Sequence, residues 1–314
     1  MTIDMPILPV KRQASLERTA CCQGVALHSG VDVRMCLHPA PANSGIRFIR
    51  TDVTDRDNVI EVRADAVTDV RRCTTISNPA DIQVSTIEHL MGALSACGID
   101  NLDIEIDGPE VPAMDGSAEA FLKMIEKAGI ARQKPARRYV RVLETIEVRD
   151  GSALVRIEPF PTLHLDVSID FEEGAIGRQR IEIEPDVRAF RERLASARTF
   201  ARAHEVVALQ ASGLSLGGSY DNAIVVDGDK VLNPGGLRHP QEFVRHKALD
   251  LLGDMYVGGP LLGRVTSVRA GHALNHKLLI ALFADAKAWK FTHQPAEIQE
   301  FHSVSPLEQT ASAL

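Results

Sequence analysis

The sequence lacks any apolar run that approaches the roughly 18 residues needed to span a bilayer as a helix. Residues 1–11 also lack the apolar core of a signal peptide. Both absences argue against a membrane-inserted or exported chain. We therefore expect a cytoplasmic protein with no transmembrane segment.

Cysteine is sparse and shows no C-x-x-C spacing. An odd number of cysteines without that spacing predicts neither a disulfide framework nor a structural zinc clip, so reduced thiols are expected. Any metal would then be held by histidine and carboxylate, which suits a catalytic site better than a closed structural one. The cysteines are Cys21, Cys22, Cys36, Cys73 and Cys97.

An excess of basic residues is missing as well. The formal net charge is −7, which argues against a general nucleic-acid binder but allows a local basic patch that faces an anionic ligand. No G-x-x-x-x-G-K phosphate loop occurs. With 314 residues, 45% of them hydrophobic, the chain is long enough for two globular domains of ordinary size.

One predicted helix, over residues 243–254, carries three groups that can bind a metal. His246 and Asp250 are one helical turn apart and share a face, and Asp254 lies one further turn along the same stripe. The alternative is a solvated helix face with a His–Asp pair. Either interpretation fits this helix taken alone.

A second stretch, residues 85–91, places Glu88 beside His89 at the start of another predicted helix. Ser85 and Glu88 also fit a capping box, in which Glu88 would only close the helix start. Taken together, the two stretches supply histidines, a carboxylate ligand and an adjacent glutamate. These are the components of a catalytic zinc site with an open position for water. His28, in a turn, is either a further site residue or a histidine satisfied locally.

The order of predicted elements favours an α+β fold. Both halves run through strands, a helix with a presumed ligand, a strand and another helix, which predicts two domains of similar topology, each a sheet with helices packed on one face. The boundaries are residues 1–133 and 138–314, with a basic linker over 132–138 and an inserted flap at about 201–240. The site would lie between the domains. Later helices are predicted over 187–195 and 275–289, and the polar tail from Gln294 is expected to hold little structure.

Several motifs resemble one family. The chain is similar to the zinc-dependent UDP-3-O-acyl-N-acetylglucosamine deacetylases, which act in lipid A synthesis in Gram-negative bacteria, and the resemblance extends from Gly24 to about Trp289. No H-E-x-x-H or H-x-x-E-H metalloprotease pattern occurs around Glu88. The motifs are STIEHL at 85–90, GIDN at 98–101, PAMDGS at 112–117, ARTF at 197–200, HKxxDxxGD at 246–254 and GHxxN at 271–275.

The resemblance implies a zinc ion bound by His89, His246 and Asp250, with ferrous iron as the alternative metal. It also implies that Glu88 is the general base. Zinc lowers the pKa of its bound water to about 7 and polarises the acetamide carbonyl. Cys73 lies near a family cysteine, but three-ligand zinc does not need it, so we place it outside the ligand set.

Further roles follow from the same resemblance. Thr199 would stabilise the oxyanion, and Lys247 would help to hold the charged intermediate. His272 would protonate the leaving nitrogen, with its pKa raised by Asp254. Phe200 would contact the substrate, although a phenylalanine in the core gives the same pattern.

The implied substrate contains a diphosphate, a uridine, a glucosamine and a 3-hydroxyacyl chain. The flap is expected to line an acyl channel with Val206, Val207, Ala208, Leu209, Leu214 and Leu216. Arg198, Arg238 and Arg245 lie near the site in sequence, but the residues that hold the diphosphate stay open, and Arg71 and Arg72 have no assigned role. We expect a monomer. The alternatives are a zinc amidohydrolase for another N-acyl sugar and a noncatalytic sugar-nucleotide binding protein.

Overall fold

The computed structural model describes residues 11–293 and confirms the α+β class. None of the helices in this range is both long enough and apolar enough to cross a membrane. The prediction for the tail from Gln294 falls outside the described residues. The helices are α1 (Glu88–Cys97), α2 (Glu119–Ala128), α3 (Val187–Arg193), α4 (Ala203–Ala211), α5 (Glu242–Tyr256) and α6 (His272–Ala284), with one 3₁₀ turn at Ala64–Ala66.

The first half is built on a five-stranded sheet in the order β2-β3-β9-β4-β5. Burial alternates along its strands: in β9, Leu102, Ile104 and Ile106 are buried, whereas Asp103 and Glu105 are not, as expected of a sheet with one face on the core. Two smaller sheets, β6-β7-β8 and β1-β10, complete this half. The strands are β1 (Arg12–Leu16), β2 (Ala20–Val25), β3 (Asp32–Pro39), β4 (Ile46–Arg50), β5 (Val59–Glu61), β6 (Val67–Asp69), β7 (Thr75–Ser77), β8 (Gln83–Val84), β9 (Leu102–Ile106) and β10 (Ile130–Ala136).

The second half contains a seven-stranded sheet and a small three-stranded one. In the large sheet the order is β12-β13-β19-β11-β20, and β14 also pairs with β19 and with β15. The small sheet, β16-β17-β18, belongs to the flap. The strands are β11 (Tyr139–Val142), β12 (Ile146–Asp150), β13 (Ala153–Glu158), β14 (Leu163–Asp170), β15 (Arg178–Ile183), β16 (Phe200–Arg202), β17 (Ile224–Asp227), β18 (Lys230–Val231), β19 (Leu261–Val268) and β20 (Trp289–Thr292).

The same strand path occurs in both large sheets. In the first half, β2, β3, β9, β4 and β5 are neighbours in that order, with only the β9–β4 pair parallel. In the second half, β12, β13, β19, β14 and β15 follow the same order, with only the β19–β14 pair parallel among them. A division into domains at residues 133 and 138 stays a prediction.

Helices α1 and α5 cross at very close range, and glycines make this possible. A Cβ atom on Gly253 would lie 1.9 Å from the carbonyl oxygen of Glu88, and one on Gly92 would lie 2.8 Å from Leu249. A side chain at position 253 would meet backbone and force the helices apart, whereas one at position 92 would press on the Leu249 side chain. The glycines therefore bring the start of α1 against the middle of α5.

Some element boundaries differ from the sequence-based predictions. The predicted linker forms most of β10, which pairs with β1. Helix α5 continues through Gly253 to Tyr256, and α6 ends at Ala284, so that Trp289 lies in a strand. Helix α1 ends at a left-handed cap on Gly98, with φ of 67°. The capping box is wrong, because α1 begins at Glu88 without a side-chain cap and the Ser85 hydroxyl bonds to Thr75 instead.

The cysteines also correct a prediction. Cys21 in β2 lies directly opposite Cys36 in β3, with Cα atoms 4.1 Å apart, and the two form a disulfide. Cys22, Cys73 and Cys97 are free thiols, as expected. Counting cysteines could not reveal the pair, since its geometry depends on the register of two strands rather than on spacing in the sequence.

Candidate active site

Three helices bring the predicted site residues together. Helix α1 begins with Glu88 and His89, α5 carries His246, Asp250 and Asp254 on one face, and α6 begins with His272. All six residues are largely buried. Because α5 packs against both α1 and α6, residues that are far apart in sequence meet around the side chain of Asp250.

Among the described residues, His89, His246 and Asp250 form a cluster with the geometry of a metal site. Asp250 Oδ1 lies 3.5 Å from His89 Nε2 and 3.3 Å from His246 Nε2. Ligand atoms about 2.0–2.1 Å from a tetrahedral zinc ion are roughly 3.3 Å from one another, so the spacing fits. Asp250 Oδ1 is buried and accepts no hydrogen bond, which leaves a carboxylate oxygen free for a cation.

The protonation of this cluster also suits a metal. His246 Nδ1 donates to the Ala197 carbonyl at 3.2 Å, which leaves Nε2 unprotonated and turned towards Asp250. Burial lowers the pKa of His246 to about 3. Burial alone would raise the pKa of Asp250, but His246 and Lys247 hold it well below its ordinary value. A neutral imidazole beside an ionised carboxylate is the state that binds a divalent ion.

Glu88 lies beside the cluster in a position suited to proton transfer. Its Oε2 accepts a hydrogen bond from the Thr74 backbone N–H at 3.0 Å, and its Oε1 faces His272 Nε2 at 3.9 Å. Burial raises the pKa of Glu88 above its ordinary value. A buried carboxylate with a raised pKa is a better general base than an exposed one.

On the other side, His272 is paired with Asp254. His272 Nδ1 donates to Asp254 Oδ2 at 2.8 Å, and Asn275 donates to the same oxygen at 2.8 Å. Burial would lower the pKa of His272, but the charge and hydrogen bond of Asp254 outweigh burial and raise the pKa to about 9. His272 is therefore protonated at neutral pH, as a general acid must be.

Two further predicted residues, Lys247 and Phe200, lie beside the cluster. Lys247 Nζ lies 3.0 Å from Asp250 Oδ2 and 5.6 Å from the centre of the Phe200 ring. Burial would lower the pKa of Lys247, but Asp250 raises it above its ordinary value. The Phe200 ring packs edge-on against the Phe243 ring, with the ring centres 5.0 Å apart, and it also lines a cavity. Phe200 is therefore both a core residue and a cavity residue.

These groups line one cavity of about 850 Å³, which we call the site cavity. The flap contributes Val206, Val207 and Leu209 to its apolar wall, whereas Ala208, Leu214 and Leu216 do not line it. Asp254 lies behind His272, outside the lining. The predicted site residues that line the cavity are Glu88, His89, Thr199, Phe200, His246, Lys247, Asp250 and His272.

None of the three arginines near the site in sequence lines the cavity. Arg198 is buried against Glu242 at 2.8 Å, Arg238 pairs with Asp115 at 2.8 Å, and Arg245 contacts His239 at 2.8 Å. The basic residues that line the cavity come from other segments and were not predicted, apart from Lys247. They are Arg71, Arg72, Arg202, Arg269 and Lys277.

His28 lies in the cavity wall, and a buried carboxylate holds its turn in place. Glu110 accepts hydrogen bonds from the backbone N–H groups of His28 and Ser29, each at 2.8 Å, and from the Thr86 hydroxyl at 3.0 Å. Glu110 thus joins the His28 turn to the residues just before α1. Sequence reasoning missed Glu110 and Thr74, because neither shows a spacing relationship with the groups it binds.

A buried His-His-Asp cluster, with a glutamate and a histidine beside it in the wall of one cavity, is the arrangement of a mononuclear metal-dependent hydrolase. Comparison with known proteins identifies the particular family. The family model for UDP-3-O-acyl N-acetylglycosamine deacetylase matches residues 13–284, so this chain belongs to that family of metal-dependent deacetylases.

Curated relatives agree with this assignment. The chain is 47% identical over 279 residues to the UDP-3-O-acyl-N-acetylglucosamine deacetylase of Phenylobacterium zucineum. The aligned region covers 88% of this chain and 95% of the relative. It is 41% identical over 285 residues to the enzyme of the same name from Idiomarina loihiensis, covering 89% and 92%. A third relative of that name, from an Anaeromyxobacter species, is 43% identical over 274 residues, covering 87% and 89%.

Proposed function

We propose that this protein is a zinc-dependent hydrolase that removes the N-acetyl group from UDP-3-O-(3-hydroxyacyl)-N-acetylglucosamine. The products are the free amine and acetate, and the reaction is an early committed step of lipid A biosynthesis. Family membership supports the reaction class and the substrate. The observation that carries the proposal is the buried Asp250 oxygen without a hydrogen bond, held between two imidazole nitrogens at the cavity wall.

His89, His246 and Asp250 would hold the ion. When bound, zinc supplies a Lewis acid that polarises the acetamide carbonyl and lowers the pKa of water. Two imidazoles and one carboxylate are a common donor set for catalytic zinc, and ferrous iron is the competing ion for the same donors.

The protein's own residues would then move two protons. Glu88 Oε1 is the atom free to take the proton of the attacking water, because Oε2 is held by Thr74. His272 Nε2 would give its proton to the leaving nitrogen, since Nδ1 is held by Asp254. Glu88 Oε1 and His272 Nε2 are 3.9 Å apart, which supports the proposal that one base and one acid serve the same reacting amide.

Charge that develops on the carbonyl oxygen needs donors in the wall. Thr199 and Lys247 both line the cavity, and no hydrogen bond within residues 11–293 occupies the Thr199 hydroxyl. We propose that the Thr199 hydroxyl and the Lys247 ammonium stabilise the oxyanion. Phe200, whose ring lies between Lys247 and the core, would contact the substrate.

The shape and lining of the site cavity suit the proposed substrate. The apolar wall formed by the flap offers a surface for an acyl chain, and the cationic side chains at the cavity offer partners for a diphosphate. We further propose that residues 1–133 and 138–314 form two domains that enclose the site. The monomeric state and cytoplasmic location expected from the sequence stay predictions.

The decisive experiment measures acetate release from UDP-3-O-(3-hydroxyacyl)-N-acetylglucosamine by the purified protein. The assay is run before chelation, after chelation, and after return of one equivalent of zinc or ferrous iron under anaerobic conditions. We expect release that stops on chelation and returns with metal. Release that persists at full rate in protein shown to be metal-free would contradict the metal mechanism.

The two alternatives give different results in the same assay. A noncatalytic binding protein would retain substrate but release no acetate with metal bound. An amidohydrolase for another N-acyl sugar would act equally well on UDP-N-acetylglucosamine without the acyl chain. We expect the acyl chain to raise kcat/KM strongly. The chain would contact the apolar flap residues that line the site cavity, and the shorter compound cannot make these contacts.

A further inference from the structure

Thr74 lies just before β7 and is buried, with 3% of its surface exposed. All of its polar groups make contacts around the site. The backbone N–H donates to Glu88 Oε2 at 3.0 Å, and the carbonyl accepts from the Ile87 N–H at 3.4 Å. The hydroxyl donates to Asp254 Oδ1 at 2.6 Å. One residue thus contacts both α1, through Glu88, and α5, through Asp254.

We propose that Thr74 is a positioning residue that holds the base Glu88 and the His272–Asp254 pair at a fixed separation. This inference rests on the proposed function, since it concerns the geometry of the same reaction. Thr74 does not contact the cavity itself. Its effect must therefore pass through the two carboxylates that it binds.

The contact to Glu88 decides which oxygen is available for chemistry. A glutamate in the first turn of a helix has several accessible rotamers. The Thr74 N–H fixes Oε2, so Oε1 is left facing His272 Nε2. This part of the arrangement depends on the backbone at residue 74.

The contact to Asp254 depends on the side chain. Asp254 Oδ2 accepts from His272 and Asn275, whereas Oδ1 accepts only from the Thr74 hydroxyl within residues 11–293. Without that hydroxyl, a buried carboxylate oxygen would have no partner, and Asp254 would turn to find one. His272 would turn with it, because its Nδ1 is bonded to the same carboxylate.

The neighbouring residue offers a matched control. Thr75 is also buried, with 4% of its surface exposed, and its hydroxyl bonds to Ser85 at 3.0 Å rather than to a site carboxylate. Thr75→Val makes the same chemical change one residue further along. Any effect that comes only from removing a buried hydroxyl in this segment should occur in both variants.

The first experiment compares Thr74→Val, Thr74→Ser and Thr75→Val for kcat, KM, metal content and thermal midpoint. We expect Thr74→Val to lower kcat roughly tenfold or more, with KM and metal content close to wild type. The variant loses the hydrogen bond to the charged Asp254 carboxylate, which orients His272. Thr74→Ser should recover kcat to within about threefold, because the hydroxyl is restored. Thr75→Val should leave kcat unchanged.

The second experiment asks whether Thr74 acts through Asp254. In an Asp254→Ala background there is no carboxylate to position, so adding Thr74→Val should change kcat less than about twofold. A further tenfold loss in that background would overturn the proposal. So would a wild-type kcat in the Thr74→Val single variant. Should Thr74→Val fail to fold, Thr74→Ala removes the same hydroxyl and enters the same comparison.

Failure of the proposed function looks different. Wild-type protein that binds metal but releases no acetate would overturn the deacetylase assignment before any variant is compared. Failure of the Thr74 proposal requires an active wild type with a Thr74→Val variant that is equally active, or equally impaired with and without Asp254.

Discussion

The two oxygens of Asp250 have different partners, and this difference is the central feature of the site. Oδ2 accepts a hydrogen bond from Lys247 at 3.0 Å, while Oδ1 accepts none and faces both imidazoles. Lys247 therefore fixes the carboxylate in one orientation without occupying the oxygen that we propose as a metal ligand. A ligand held in this way needs little reorganisation when an ion binds.

The proposed roles of Glu88 and His246 predict that substitutions at the two residues have different effects, one on turnover and the other on metal content. Glu88→Gln should retain bound metal and reduce kcat by at least roughly 100-fold, because general base catalysis is lost. His246→Ala should lose the metal itself, because one of three ligands is gone. Metal analysis and acetate release on the same samples check both. A Glu88→Gln enzyme with near-normal turnover would disprove the assignment of the base.

The pairing of His272 with Asp254 predicts the alkaline limit of activity. A general acid must be protonated, so kcat/KM should fall as the pH rises through the His272 pKa, which is about 9. Asp254→Asn removes the negative charge that raises this pKa and should move the alkaline limit to lower pH. A pH–rate profile of both proteins measures the shift, and an unchanged limit would exclude His272 as the titrating acid.

At the residue scale the sequence was most informative where one helix carried several functional groups. The spacing of His246, Asp250 and Asp254 follows from helical geometry alone. Thr74 and Glu110 could not be found this way, because each binds groups on other elements at distances in sequence that the fold sets. Nor does spacing reveal that Arg198, in the matching motif, is buried against Glu242.

At the scale of elements, the close crossing of α1 and α5 determines the site. The two helices carry all three proposed metal ligands, and Gly253 allows their close approach. At Gly253 the Glu88 backbone lies directly against α5. Small changes in this packing should therefore move the base and the ligands together.

Gly253→Ala tests that dependence. The added Cβ would lie 1.9 Å from the Glu88 carbonyl oxygen, so the helices must separate. We expect unfolding free energy to fall by about 1–3 kcal/mol, as for other overpacked cores, together with a large loss of kcat. Gly235→Ala is the control, since a Cβ there meets nothing within 4 Å. Urea unfolding and acetate release check both, and equal behaviour of the two variants would contradict the argument.

The flap makes a separate prediction about acyl-chain recognition. Val207 lines the site cavity although 71% of its surface is exposed, so Val207→Ser should cost little stability. It should raise KM for a long-chain substrate by about tenfold, through the loss of apolar contact, and leave a short-chain substrate unaffected. Leu216 is 56% exposed in the same flap but does not line the site cavity. Leu216→Ser should therefore leave KM unchanged for both substrates.

Element boundaries were harder to predict than the elements themselves. The basic stretch around Pro135 suggested a linker, but its backbone pairs with β1, because an edge strand tolerates a proline. The apolar run after Asn275 suggested one long helix, yet it ends at Ala284 before Trp289 enters a strand. In both cases pairing with a distant strand overrode the local signal.

At the scale of the whole molecule, the proposed metal site draws its residues from both halves of the chain. His89 lies in the first half, and His246 and Asp250 lie in the second, on sheets with the same strand path. The sequence predicted this repetition from the order of elements. It could not predict the Cys21–Cys36 disulfide, which depends on the register between β2 and β3.

Metal binding should therefore stabilise the folded chain. Free zinc at about 100 times its dissociation constant should add about 2.7 kcal/mol to the unfolding free energy. With an unfolding entropy of about 2.1 cal/mol/K per residue, that raises the thermal midpoint of a chain of this size by roughly 4 °C. Calorimetry of metal-free and metal-loaded protein measures the shift. Asp250→Asn should show a much smaller one, and an equal shift in that variant would place the ion elsewhere.

The chain contains one tryptophan, and its position makes it an optical probe of the second sheet. Trp289 lies in β20, pairs with Val142 in β11, and packs edge-on against Phe283 with ring centres 5.2 Å apart. It does not line the site cavity. Tryptophan fluorescence should consequently follow the opening of this sheet edge and not respond to ligands in the site cavity, so that unfolding and inhibition can be distinguished in a single untagged sample.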